Sequence, residues 1–490
     1  MERDESQCLG LVNDPNLFHW VQTLILNDAN TPLFHLCAYP LVVLTGENVF
    51  VLKIFGLLIA TALPAVAYKL FRKTLGEPGT LLFCLLLAIS PILIRDGELI
   101  RPYGMLQIGV LVATKMLFDF LADSKKPFWK YSLLMAAGLY LHLSSLALWA
   151  GHSLAALVAV VRRWISIPKF IEWIKAMVLA LIIFSPWLCI VVWQLGQHMH
   201  PWQRRVPIFS LITLNVHNMF FDSFHVLDSF IALVVAWGMC IYGAGLKKTG
   251  LNSAGWLFVL VGSVAGSVIL HQFGAPYRDR YLSIFDPIAL FCLAQGCTRA
   301  YDAAINRQGL KRNLLFFIAV LPAILLVVNW VWELKLLFRI PESATADAYY
   351  ICAGHIDKKK DLVVVALQVF GTEAYRIVPR DAKILSFPDS NELRYIQWRG
   401  LSQRAQNDSA VANLISEMDK TLKQGGTVWF IDAVHDERFK SVPEDFQDLQ
   451  FYRAQQMRDW LTQNASLALD QKFLGREGDC RLLKFEPAKP

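Results

Sequence analysis

The sequence predicts a polytopic α-helical membrane protein of about ten spans, with an α/β domain at its C-terminal end. Three observations predict it. Hydrophobic residues make up 55% of the 490 positions and come in long blocks. Only 18% of residues are charged, and they gather between those blocks. From about residue 333 onward, short apolar runs alternate with amphipathic helical patterns. A soluble chain would show such amphipathic periodicity throughout. Blocks of roughly 20 apolar residues, enough to cross a bilayer, instead recur through the first two thirds.

The elements follow in order. Residues 1–48 read as an extracytoplasmic first loop, in which FHWVQTLIL and PLFHLCAYPLVVL are too short to span and lie in the interface as helices. Nothing in MERDESQ resembles a signal peptide, so a further helix is expected upstream of this start. Spans follow near 49–71, 80–95, 103–122, 171–194, 228–246, 254–271, 281–298 and 313–332. The run 130–161 is too long for one helix and is interrupted by Gly138 and His142-Leu-Ser-Ser145, so it divides into two. Residues 49–332 thus form the membrane core. In 333–490, DLVVVAL, AKILSF, GTVWFID and RLLKF read as strands, and NDSAVANLISEMDKTLKQGG and FYRAQQMRDWLTQN as helices. This alternation makes a small α/β layer domain.

Basic clusters fall on alternate loops: Lys69, Arg72 and Lys73; Lys125, Lys126 and Lys130; Arg162, Arg163, Lys169 and Lys175; Lys247 and Lys248; Arg299 to Arg312. They define the cytoplasmic side, which puts 1–48 and 333–490 outside. The net charge of +7 is this signature and gives no sign of nucleic-acid binding. The nine cysteines form no CxxC pair; Cys352 and Cys480 share the outer domain, where an oxidising environment permits a bridge, but spacing alone leaves their pairing open.

Cations on the wrong side carry the functional signal. RDGELIRPYG (95–104) packs Arg95, Asp96, Glu98 and Arg101 into one outer turn, and APYRDRY brings Arg278 and Arg280 beside Asp279. Guanidinium groups grip phosphate oxygens through paired hydrogen bonds, so an outer pocket for an anionic lipid headgroup needs this arrangement. Arg204 and Arg205, beside Trp202, read rather as headgroup anchors. Acids on the same face are Asp4, Glu5, Asp96, Glu98, Asp279 and Asp286. A desolvated carboxylate serves as general base, and such oxygens also suit a divalent cation (Mg or Mn), with Asp4 and Asp96 as its ligands. His35 and His142 stand alone, without metal-ligand spacing.

The order of these motifs resembles the GT-C glycosyltransferases related to protein O-mannosyltransferases and aminoarabinose transferases (glycosyltransferase family thirty-nine). It comprises Asp4-Glu5, then Asn30-Thr-Pro-Leu-Phe-His35, Arg101-Pro102-Tyr103, Gly138-Leu-Tyr-Leu-His142, and Arg280-Tyr281 with Pro287 beyond. The resemblance implies inverting transfer of a sugar from a polyprenyl-phosphate donor to a protein, glycolipid or glycan acceptor on the outer face of a bacterial inner membrane. It implies Asp4 as general base with Glu5 beside it, and Asp96 and Glu98 as a second acidic group orienting the acceptor or a metal. Arg101, Arg278 and Arg280 stabilise the leaving phosphate, while Tyr103, Tyr281, His35 and His142 shape the pocket. Leu99 stands where relatives carry a Glu, so Asp96 competes with Glu98 for that role. A transporter or flippase would instead place ionisable residues deep in its spans and show repeat symmetry. A non-catalytic envelope assembly protein would leave the outer charge pairs without a role.

Overall fold

The structure is a computed structural model that describes residues 3–12, 16–28, 30–46, 48–122, 127–197, 206–221, 226–245, 250–274, 279–341, 343–388, 393–434, 439, 441–443, 445–475 and 478–488. The chain opens with α1 (Arg3–Val12), α2 (Leu17–Asn27) and α3 (Pro32–Thr45). The membrane part continues with α4 (Val49–Ile89), α5 (Pro91–Glu98), α6 (Tyr103–Ala122), α7 (Phe128–Leu141), α8 (Ser145–Val161) and α9 (Ile167–Gly196). Next come α10 (Ile208–Asn218), α11 (Val226–Ala244), α12 (Leu251–Gln272), α13 (Asp286–Ile305) and α14 (Gly309–Arg339). Five of these, α4, α6, α9, α12 and α14, are long and apolar enough to cross a membrane, while α3, α8 and residues 230–244 of α11 are shorter apolar helices.

The differences from the expected spans have physical reasons. The spans read at 49–71 and 80–95 form the two arms of α4, which reverses at Gly76 (φ 68°, ψ 174°). Only glycine takes this backbone without strain. The arms then run side by side, with the Cys84 thiol 3.2 Å from the Pro64 carbonyl and the Phe71 and Phe83 rings edge-on at 5.7 Å. The second arm ends at Ile89, because Ser90 is extended ahead of Pro91 and the chain restarts as α5. The span read at 281–298 begins only at Asp286, after two 3₁₀ turns at Asp279–Tyr281 and Ser283–Phe285. Helix α13 is buried along most of its length, from Asp286 through Cys297. Its surroundings are protein, so its apolar run reports a core and not a lipid-facing span. The division of 130–161 falls at His142–Ser144, between α7 and α8.

Small residues let helices approach closely, as membrane helices without a hydrophobic driving force require. On α12, Gly262 and Gly266 face α8: a Cβ on Gly262 would come within 2.8 Å of Gly151 Cα, and one on Gly266 within 2.5 Å of Ala150 Cβ. Gly296 of α13 meets the Met239 carbonyl of α11 in the same way.

The C-terminal part builds one five-stranded sheet, β1 (Leu362–Val365), β2 (Lys383–Ser386), β3 (Val428–Ala433), β4 (Ala465–Phe473) and β5 (Cys480–Pro487), in the order β2-β1-β3-β5-β4. β1 runs parallel to both β2 and β3, whereas β5 is antiparallel to β3 and β4. The helices are α15 (Thr345–His355), α16 (Gln368–Ile377), α17 (Leu401–Gln406), α18 (Asp408–Lys423) and α19 (Phe446–Asn464). β1 and β3 are buried at every residue, as a central parallel strand must be. Strand β4 escaped the sequence reading because it is an edge strand, mostly exposed and rich in polar residues. Cys352 and Cys480, whose pairing the sequence left open, share one core cluster as free thiols; burial pushes the Cys352 thiol up to about 12.

Two expectations follow. Gly262→Val forces α8 and α12 apart and costs ~1–3 kcal/mol, read as a lower melting temperature in detergent. Gly109→Ala, with open space at its Cβ, leaves it unchanged. Asp432, on β3, is 1% exposed and paired with Arg458, and its burial raises its carboxyl to about 6. Between about pH 4 and 6 the fold holds a proton there that the unfolded chain has released. Stability therefore falls as pH rises through that window, by up to ~3 kcal/mol, and is flat above it. Asp432→Asn flattens the slope, which thermal unfolding between pH 4 and 7.5 reads directly.

Candidate active site

A cavity of about 620 Å³ lies where the membrane helices meet the C-terminal sheet. Of the three arginines expected to stabilise the leaving phosphate, the two within the described residues, Arg101 and Arg280, line its membrane half, together with Tyr103, His142 and Tyr281. Arg101 sits in the short bent segment between α5 and α6, and Arg280 in the first 3₁₀ turn before α13. Beside them stands an aromatic wall. Tyr281 lies 4.8 Å from the His142 ring and 6.4 Å from Tyr103, and Tyr103 and His142 are 5.9 Å apart. His142 closes α7, and its Nδ1 accepts the Ser144 backbone N–H at 3.1 Å, which leaves Nε2 to carry the proton of the neutral ring.

Asp96 does not line the cavity. It lies 1% exposed behind the wall, where it gathers donors from three elements. Gln107 of α6 donates to one oxygen at 2.8 Å, the Ser283 hydroxyl of the second 3₁₀ turn binds the same oxygen, and Arg95 binds the other at 3.3 Å. Ser283 also lies 2.7 Å from the Arg280 carbonyl. Asp96 therefore fastens the turn that carries Arg280 to the helix that follows Arg101.

Glu5 is likewise taken up by protein donors. It is fully buried on α1, accepts the Ile100 backbone N–H at 2.9 Å and pairs with Lys53 of α4. Lys53 also donates to the Glu98 carbonyl, whereas the Glu98 side chain is exposed and outside the cavity. The side chain of Asp4, and the whole of Arg278, Arg204 and Arg205, lie outside the described residues. Among the described residues, no group of three or more His, Cys, Asp or Glu side chains is placed to hold a metal. Asp96, proposed as a ligand, has both oxygens in hydrogen bonds within the protein, which does not fit that role.

On the membrane half, the carboxylate among the described residues that does face the cavity is Asp28, which sequence reasoning missed. It follows α2, and both its oxygens accept from the Asn30 amide, at 3.0 and 2.9 Å. His35 Nε2 is 3.8 Å away, and its Nδ1 lies 3.4 Å from the Thr31 carbonyl. Burial holds the His35 ring below the usual imidazole range, so at neutral pH it stays uncharged beside Asp28. Gln194 of α9 donates to the Asp28 carbonyl oxygen at 2.6 Å and fixes the turn. The available signal was position, since Asp28 stands two residues ahead of the Asn30-Thr-Pro-Leu-Phe-His35 motif.

With this geometry in hand, comparison with known proteins is informative. Residues 30–193 match the family described as dolichyl-phosphate-mannose-protein mannosyltransferase. No curated protein matches the chain in sequence. Among solved structures, ArnT from Cupriavidus metallidurans bound to undecaprenyl phosphate superposes with a TM-score of 0.54 at 10% identity, covering 98% of this chain and 93% of that one. The apo form of the same protein gives 0.52 at 11% identity, covering 98% and 92%. The apo oligosaccharyltransferase from Archaeoglobus fulgidus gives 0.48 at 11% identity, covering 88% and 66%. The ArnT likeness extends over nearly the whole chain and concerns its fold. Over residues 30–193 the chain thus resembles the dolichyl-phosphate-mannose-protein mannosyltransferase family in sequence, and over nearly its whole length it has an ArnT-like fold.

Proposed function

We propose that the chain transfers a sugar from a polyprenyl-phosphate donor to an acceptor hydroxyl, with inversion, on the extracytoplasmic face of a cell membrane. The observation that carries this reading is the joint presence of Arg101 and Arg280 on the membrane half of one cavity, beside an aromatic wall. A donor of this kind has an anionic headgroup at the bilayer surface and a leaving group that departs as phosphate. Such a leaving group needs positive charge and hydrogen bonds more than a strong acid. The two guanidinium groups supply both in a site partly screened from water, where each contact is worth more than in solution. The undecaprenyl phosphate bound by the structurally similar ArnT is a lipid of this chemistry.

In the displacement, the acceptor oxygen forms its bond to the anomeric carbon as the bond from that carbon to the phosphate oxygen breaks. The electron pair leaves with the phosphate, towards Arg101 and Arg280. The acceptor's proton passes to a carboxylate, for which Asp28 is the best placed of the described residues; Asp4 holds that role by family resemblance. The Asn30 amide keeps Asp28 oriented, and uncharged His35 avoids tying it up in an ion pair. Tyr103, His142 and Tyr281 offer faces on which a sugar ring packs.

Native mass spectrometry of the protein in lipid nanodiscs tests the donor site. The wild type is expected to retain undecaprenyl phosphate, and Arg101→Ala and Arg280→Ala each to weaken it at least about tenfold, as loss of a charge-assisted pair does. Equal retention by all three proteins contradicts the reading. Asp28→Asn is expected to keep the lipid but to slow turnover of a polyprenyl-phosphate sugar by roughly 10²- to 10⁴-fold, the usual contribution of a general base. Unchanged turnover would return the role to Asp4.

A further inference from the structure

The cavity does not stop at the membrane helices. Its other half is built by the C-terminal sheet, at a place the transfer chemistry leaves unused. β1 passes through Leu367 into α16 and on to β2, on one side, whereas β3 passes through Val434 towards α19 and the β4–β5 pair, on the other. The two parallel neighbours thus send their connections in opposite directions. Between their carboxyl ends opens the crevice in which sheets of this kind hold ligands. Leu367, Ala433 and Val434 line the cavity at that point. Asp479 is brought to the same edge because β5 starts beside the end of β3, and the Val434 N–H donates to the Asp479 carbonyl at 3.0 Å.

Side chains close the crevice. Phe446, Gln447, Gln450 and Phe451 present one face of the first turns of α19 to it. From below comes Gln7 of α1, whose Oε1 accepts the Ile396 backbone N–H. Gln450 is 6% exposed and Gln7 3%, and the amide nitrogen of each has no hydrogen-bond partner among the described residues. Both side chains line the cavity, and their amide nitrogens, closed off from it as they stand, become donors to a ligand there once the side chains turn. The Asp479 carboxylate, paired with Lys472 at 2.7 Å, stays ionised because that hydrogen bond lowers its pKa, and it offers an acceptor.

The chemistry of this half differs from that of the other. The cations lining the cavity are Arg101 and Arg280, both in the membrane half; the sheet half carries none among its described lining residues. A phosphate or sulfate ligand would lack its counter-charge there. An extended peptide would need an open strand edge, but β1 and β3 are each paired on both sides. What remains is neutral amides, one carboxylate and the rings of Phe370, Trp398 and Phe446. Amides and carboxylates satisfy sugar hydroxyls, and aromatic faces cover the apolar faces of sugar rings.

We infer that the crevice between the carboxyl ends of β1 and β3 is the acceptor subsite, and that it takes an uncharged saccharide. The inference rests on the transferase reading and names its acceptor class: the sugar chain sits on the sheet and presents a hydroxyl to the arginine half.

The test uses the full chain in nanodiscs on an array of neutral and acidic oligosaccharides, with a library of Ser/Thr-rich peptides alongside. Undecaprenyl phosphate binding is measured on the same samples. The wild type is expected to retain a subset of neutral glycans, and Gln450→Leu and the less buried Gln447→Leu to lose them at least about tenfold while keeping the lipid. Arg101→Ala is expected to do the reverse. Glycan retention unchanged in both glutamine variants, retention only of acidic glycans, or no retention by the wild type overturns the subsite. Peptide retention that falls in the glutamine variants overturns the saccharide assignment in favour of a polypeptide acceptor. Failure of the wild type to bind the lipid strikes at the transferase reading instead, whatever the array reports.

Discussion

The buried carboxylate of Asp96 is the contact on which the geometry of the site depends. Arg101 and Arg280 are far apart in sequence and come from different turns, so nothing local sets the distance between them. Asp96 sets it. It holds Gln107 at the start of α6 on one side and Ser283, next to the Arg280 carbonyl, on the other. A carboxylate this buried is tolerated only when its oxygens are satisfied and a cation is near, and Arg95 supplies the charge. This accounts for the mixed charges of RDGELIRPYG, which a connecting turn would not require. One arginine and one acid build the scaffold, and the second arginine faces the cavity.

A similar economy governs the junction between membrane helices and sheet. Glu5 ties α1 to the α5–α6 segment through the Ile100 N–H, and two residues on Gln7 ties the same helix to Ile396 beyond the sheet's first strands. Gly10 passes so near the Arg394 carbonyl that a Cβ there would overlap it, at 1.6 Å. One short helix is thus clamped by both parts of the chain. The cavity it borders has a cationic half towards the membrane and a neutral, aromatic half on the sheet. That division suits a reaction joining an anionic lipid carrier to an uncharged acceptor.

Much of this was legible in the sequence. Apolar length gave the long helices, and the polar His142-Leu-Ser-Ser145 interruption gave the α7–α8 break. Short apolar runs between turn residues gave β1, β2, β3 and β5. The two arginines and the aromatic wall were visible as charges and rings near span ends. The rest depended on three-dimensional neighbours. Apolar content alone cannot separate a helix that faces lipid from α13, which is packed among its helical neighbours. Glu5 and Asp96 stand beside other acids on short helices and Asp28 in the turn after α2, and nothing in their sequence neighbours distinguishes their roles. Only the fold determines that the first two meet buried donors while the third faces the cavity. The exposed edge strand β4 lacks the apolar run that marks its buried neighbours.

The measurement that tests the central claim most directly is a cryo-electron microscopy structure of the chain with undecaprenyl phosphate in a nanodisc. The account predicts phosphate density between Arg101 and Arg280, within hydrogen-bond distance of both guanidinium groups, with the prenyl chain leaving towards the lipid and the sheet crevice still open. A phosphate held elsewhere on the helices, or a lipid entering the crevice between β1 and β3, would contradict it.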